Sequence, residues 1–256
     1  MVNISLLIGG VVMLASAVIY FYVGDRLARR RLNAPDVRLA WVLFVVWWYA
    51  LALVTVVGGV QSLLGVVGIR DLPLFLALTQ LNLLATCVAL FGLLYYLIFL
   101  LSGKSRSIVP LTIFYVAYYT LLLYYFNLLA PVEIVLGRWT ATLRYQHPFA
   151  GPLFSFVLVL LVFPQIIGSL AYFTLYFRVR DSTQKYRVLL VSMSIFLWFG
   201  SAFAGSAAGV SNFDWWQIVS RLISFAAALT ILAAYRPFRW IKKRLGVDSI
   251  VDEVTA

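Results

Sequence analysis

At 256 residues, with 64% hydrophobic and 11% charged side chains, the chain is too apolar for a soluble domain and long enough for one bundle of membrane spans. Its net charge of +11 suits an anionic partner. The basic residues, however, sit beside the ends of apolar segments, where lipid headgroups meet them, and this distribution argues against nucleic acid. A single cysteine, Cys87, inside an apolar segment, excludes an intramolecular disulfide.

Seven long apolar segments follow one another. The first covers about 4–24 and ends in Gly24-Asp25-Arg26 and the run Arg29-Arg30-Arg31. Its basic residues follow it, so it reads as a first span and not as a cleaved signal. The second covers about 39–67 and leads through Gly68, Arg70, Asp71 and Pro73 into the third, about 74–101. A tight turn at Gly103, Lys104 and Arg106 opens the fourth, about 108–130, with Pro110 in its first turn, where the missing donor costs little. A longer connection from Pro131 to Gly151 reads as a loop and carries Glu133, Arg138, Trp139, Arg144, Tyr145 and the lone histidine, His147. The fifth segment, about 152–177, contains the pair Pro164-Gln165; the sixth is about 188–208 and the seventh about 215–235. Spans this long and apolar are helices, because hydrocarbon offers backbone groups no other partner. Short turns make neighbours antiparallel, which predicts an all-α bundle of seven transmembrane helices in a single ring.

Sixteen of the twenty Lys and Arg lie in the first, third and fifth connections and the C-terminal tail, three lie in the other connections, and Arg221 lies within a span. This positive-inside pattern predicts an outside N-terminus, a cytoplasmic C-terminus and a multi-pass protein of the cell membrane. The expected organisation is one seven-helix domain, residues 1–246, and a short flexible cytoplasmic tail, 247–256. The basic aromatic stretch Arg236 to Arg244 suits the inner leaflet.

Arg221 carries the most information about function. An arginine two turns inside a helix is expensive unless it snorkels, pairs, or faces a wet cavity. Gln217 is one turn away and Ser224 nearly one turn away in the other direction, so all three share a face. The carboxylates that can approach from that side, Asp71, Glu133 and Asp214, lie outside the spans. Gln61, Gln80, Asn82 and Tyr124 occupy the same half of the membrane, and Gln165 sits mid-helix beside a proline that frees a carbonyl. Each amide serves either as interhelical glue or as part of an outward-facing ligand pocket. The pocket reading makes Arg221, Gln217, Gln80, Gln61, Tyr124 and Gln165 its ligand-binding residues and turns Arg221 toward the bundle interior. Ser201, Gly205 and Gly209, four residues apart, permit a close helix contact.

Catalytic patterns are missing: the chain has no HExxH, CxxC or GxSxG, and one histidine cannot build a haem or zinc site. No catalytic residue, metal or cofactor is expected. In topology and length the chain resembles the microbial rhodopsins. That resemblance implies a seven-helix bundle with its N-terminus outside, but a retinal Schiff base needs a lysine in the seventh helix. Trp215-Trp216-Gln217-Ile218-Val219-Ser220-Arg221-Leu222 continues without one, so covalent retinal is excluded. Pro164-Gln165 resembles the pair of PQ-loop transporters, a family that repeats it in both halves of the molecule, whereas Leu6 to Met13 has no such pair. The third and seventh helices lack the acidic-arginine-aromatic and Asn-Pro-x-x-Tyr motifs of animal-type G-protein-coupled receptors. The leading expectation is a non-enzymatic, receptor-like or sensory membrane protein that binds a small ligand from the outer side and signals through a separate partner. A small-solute transporter and an accessory subunit of a larger membrane complex are the alternatives.

Overall fold

A computed structural model describes residues 3–29, 35–103, 108–128, 132–139, 141–145, 163, 166–210 and 215–237. The chain forms an all-α bundle of seven helices: α1 (Ile4–Ala28), α2 (Pro35–Val67), α3 (Leu72–Ser102), α4 (Ile108–Leu128), α5 (described over 166–178), α6 (Ser182–Val210) and α7 (Trp215–Tyr235). Five of them are long and apolar enough to cross a membrane: α1, α2, α3, α6 over Ser182–Ala204, and α7. The protein is a multi-pass membrane protein.

Local chemistry sets the helix ends. Asn3 caps α1, its side chain accepting from the Leu6 N–H at 3.2 Å, and Asp71 caps α3 through the Leu74 N–H at 3.4 Å. Asp181 accepts from the Gln184 N–H at 2.7 Å at the start of α6. Gly68 and Gly103 stop α2 and α3 with φ of +82° and +68°, a left-handed turn that other residues enter at a cost. The helices overrun the apolar segments: α2 starts at Pro35 and α6 at Ser182, so Lys185 and Arg187 stand on helix and not in a loop.

α1 packs between α2 and α7, α2 packs on α3, α3 on α4, and α6 on α7. On α5, Gly168 lies against Leu97 of α3. The core is aromatic at its centre, with Tyr20, Phe44, Trp47 and Trp48 fully buried and the two indoles 4.0 Å apart. Glycines let helices meet backbone to backbone. A Cβ on Gly59 of α2 would lie 3.2 Å from the Gly10 carbonyl of α1, and one on Gly92 of α3 would lie 2.5 Å from the Leu43 carbonyl of α2.

The connection after α4 is not a simple loop. Val132–Leu136 (β1) and Ala141–Tyr145 (β2) form an antiparallel hairpin, with Ile134 opposite Leu143 and Leu136 opposite Ala141. It seats on the end of the bundle where α1 and α7 begin and α2 ends, hereafter the hairpin end. The Trp139 carbonyl presses on Gly9 of α1, and Gly65 of α2 leaves room for Ala141, Leu6 and Leu136, each about 3 Å from where its Cβ would stand. Ala141 is buried there. The β-branched residues Val132, Ile134, Val135 and Thr142 around Gly137 favour this pairing once a bundle end is present to cover one face.

Candidate functional site

Arg221 stands six residues after the start of α7, about 9 Å along its axis at the rise of an α-helix. Its guanidinium is turned into the bundle: Nη1 lies 3.6 Å from the position a Cβ on Gly58 would take, and the Met13 side chain of α1 packs on that same glycine. Gly58 and Met13 are buried. Arg221, half-buried as a whole, therefore sits at the junction of α1, α2 and α7, with Nη1 directed at Gly58. Nε is buried without a hydrogen-bond partner, and Arg221 has no ion pair among the described residues. Gln217 is one turn nearer the hairpin end, and its Oε1 is likewise buried and unanswered.

Buried polar atoms in native proteins are nearly always partnered, so each orphan asks for an explanation. The Nε atoms of Arg26 and Arg187, the indole N–H groups of Trp47 and Trp48 and the hydroxyls of Ser169 and Ser192 also lack a hydrogen bond. Arg26 lies over the Tyr22 ring and Arg187 has an interaction of its own, and the remaining groups are neutral. Arg221 is charged, and the cost of leaving an ionised donor unmet in an apolar interior is several-fold larger. The rim carboxylates do not meet it. Asp71 is engaged in capping α3, Glu133 is exposed on β1, and Asp214 lies outside the described residues.

Immediately below Arg221 the bundle is sealed. Ser224, nearly one turn further along α7, gives its carbonyl to the Tyr20 hydroxyl of α1 at 3.0 Å. Tyr20 stacks on Trp48 at 5.9 Å, and Phe44, Trp47 and Trp48 close the layer beneath. The site thus has a floor of aromatic rings, a glycine wall at Gly58 and, above it, the hairpin against Gly9.

The other expected ligand residues fare differently. Gln61 is buried in the seam between α2 and α3, where Nε2 donates to Thr79 Oγ1 at 3.1 Å, and Asn82 donates to the Val54 carbonyl at 3.4 Å. Both act as interhelical glue. Gln80, half-buried on α3, has an interaction of its own. The Tyr124 side chain and Gln165 lie outside the described residues, as do His147 and the tail from 238 onward. The structure therefore brings together Arg221 and Gln217 and assigns Gln61 elsewhere. Gly58, Met13 and the hairpin complete the surroundings of Arg221 without being polar side chains. The pairs Gly9-Gly10 in the first turns of α1 and Gly58-Gly59 toward the end of α2 are the available signal, because only a glycine lets a neighbouring backbone or the Met13 side chain come so close.

No protein-family model, no curated protein and no solved structure matches this chain. The likeness to microbial rhodopsins is confined to the largely membrane-spanning bundle of seven helices.

Proposed function

We propose that this chain is a receptor-like or sensory seven-helix membrane protein, non-enzymatic, that binds a small ligand at Arg221 and Gln217 from the hairpin end. The single observation behind this reading is the pair of buried, unanswered atoms, Arg221 Nε and Gln217 Oε1, one turn apart on α7 beside the side-chain-free Gly58. A ligand that satisfies both would remove the cost of leaving them open. The charge distribution puts the hairpin end outside and the C-terminus in the cytoplasm, the orientation shared with microbial rhodopsins, here without a lysine to hold retinal.

Two features favour a receptor over a transporter. The aromatic layer of Tyr20, Phe44, Trp47 and Trp48 closes the interior between the site and the basic end. The Tyr20–Ser224 bond links α7 to α1 just beneath the ligand, which gives occupancy a way to bias how the two helices pack. A separate partner at the basic end would carry the output.

The test is thermal stability of the purified protein in lipid nanodiscs against a panel of small soluble metabolites, run in parallel on Arg221→Met. We expect at least one compound to raise the midpoint of the native protein and to leave the variant unmoved. Compounds that stabilise both proteins equally would remove Arg221 from the site. Orientation is checked by single-cysteine labelling in a background lacking Cys87, with position 242 protected and position 133 labelled in intact cells.

A further inference from the structure

The chemistry of the ligand follows from what the site lacks. Resting on the reading of Arg221 and Gln217 as a binding site, we infer that its natural occupant is a small organic carboxylate, held by the Arg221 guanidinium and bearing a hydrogen-bond donor for Gln217. Three observations converge on this. First, Arg221 brings a full positive charge into the apolar interior, where no carboxylate among the described residues answers it and Nε is closed off from solvent. In surroundings of low polarity the most favourable complement to such a charge is a compact anion. The planar fork of a guanidinium matches the two oxygens of a carboxylate in a way that a chloride or a neutral carbonyl cannot. Second, Gln217 Oε1 is an acceptor with nothing to accept, so the complete ligand carries a hydroxyl or N–H near its carboxylate. Turning the amide over would present Nε2 instead, which also donates to a carboxylate, so the anionic assignment holds for either orientation of Gln217. Third, the surroundings of the guanidinium are closely packed. Met13 and the backbone of Gly58 line the guanidinium, the Tyr20–Ser224 bond underlies it, and the Trp139 carbonyl lies on Gly9 one turn of α1 above Met13. Such packing admits only a compact acid, its apolar part against the flexible thioether of Met13.

The experiment uses the full chain in nanodiscs of phosphatidylcholine, which carry no anionic lipid, and pairs of matched size in which a neutral amide replaces the carboxylate: acetate and acetamide, lactate and lactamide, benzoate and benzamide. Binding is read by calorimetry and by thermal shift at constant ionic strength. We expect at least one carboxylate to bind where its amide does not, and the hydroxy acid lactate to exceed acetate. Arg221→Met should weaken that binding at least about tenfold, the scale of a lost hydrogen bond to a charged group. Gly58→Leu, which keeps the charge and crowds Met13 and the guanidinium, should do the same, and it serves as the second test if Arg221→Met proves poorly folded. Equal binding of acid and amide, abolished by Arg221→Met, would overturn the carboxylate and leave the ligand site standing. Carboxylate binding unchanged in both variants would overturn the site as well. No binding of any of the three acids to the native protein overturns the assignment. So does an Arg221-dependent stabilisation produced by phosphatidylglycerol nanodiscs that removes the carboxylate effect, because the occupant would then be a lipid headgroup.

Discussion

Ser220 and Arg221 are neighbours on α7, and they meet opposite surroundings. Ser220 faces α6, where its hydroxyl donates to the Ser201 carbonyl at 2.8 Å and Ser201 returns the bond at 2.9 Å. Further along the same seam Ser194 donates to the Ala227 carbonyl at 2.8 Å and Tyr186 to the Ala233 carbonyl at 3.1 Å. Arg221 faces α1 and α2, where a stronger donor is left open beside a glycine. Small hydroxyls in the first seam are consumed in holding two helices together. At the second junction the same helix holds its charge in reserve. Polar residues inside a membrane bundle are therefore bonded between helices or left open according to what the next helix offers them, and their identity alone does not decide which.

The comparison is tested most severely at the hairpin. Gly9→Leu would drive a side chain into the Trp139 carbonyl, a backbone atom that cannot step aside, at a cost of about 1–3 kcal/mol. We expect the hairpin to lift from the bundle and amide exchange over 132–145 to accelerate, while the seam between α6 and α7 stays protected. Unaltered exchange in the hairpin would show that it does not rest on α1.

Arg221→Met is expected to raise the stability of the ligand-free protein by on the order of 1 kcal/mol or more, because it removes an unpaired charge from an apolar interior. Reversible unfolding in mixed detergent measures this. A clear loss of stability would identify the arginine as a structural hub and erase the distinction from the serine seam.

The seam should show the contrary sign. Replacing Ser201 and Ser220 together by Ala removes the reciprocal pair and should destabilise by roughly 1 kcal/mol, the typical sum for two interhelical bonds in a membrane. Ser194→Ala, with one bond to lose, should cost about 0.6 kcal/mol in the same assay. Neither change should alter ligand binding at Arg221, and an effect there would couple the two sides of α7.

The hairpin also marks where reading the chain fell short. Val132, Ile134 and Val135 are β-branched and Gly137 follows Leu136, which is a strand signal. It is brief, however, and an isolated hairpin is marginal without a surface to cover it. That surface is assembled by Gly9 and Gly65, which lie far away in sequence.

What the sequence by itself determined is the membrane frame. Length, hydropathy and turn residues specify α1 to α4 and α7 within about four residues and α6 to within six at its start, because a backbone in hydrocarbon has one local way to satisfy itself; the start of α5 lies outside the described residues. It also singled out Arg221, since a charge in such a segment stands out against its background. Only the tertiary structure decided which way that charge points. Arg221 and Gly58 are separated by more than half the chain, and their contact depends on the close crossing of α1 and α2 at Gly10 and Gly59 and on the packing of α7 against α1. Gln61 and Arg221 look alike as polar residues in apolar helices. Thr79, a turn into the facing helix, answers the first, and nothing among the described residues answers the second, a difference written in the azimuths of packed helices and not in the composition of any one of them.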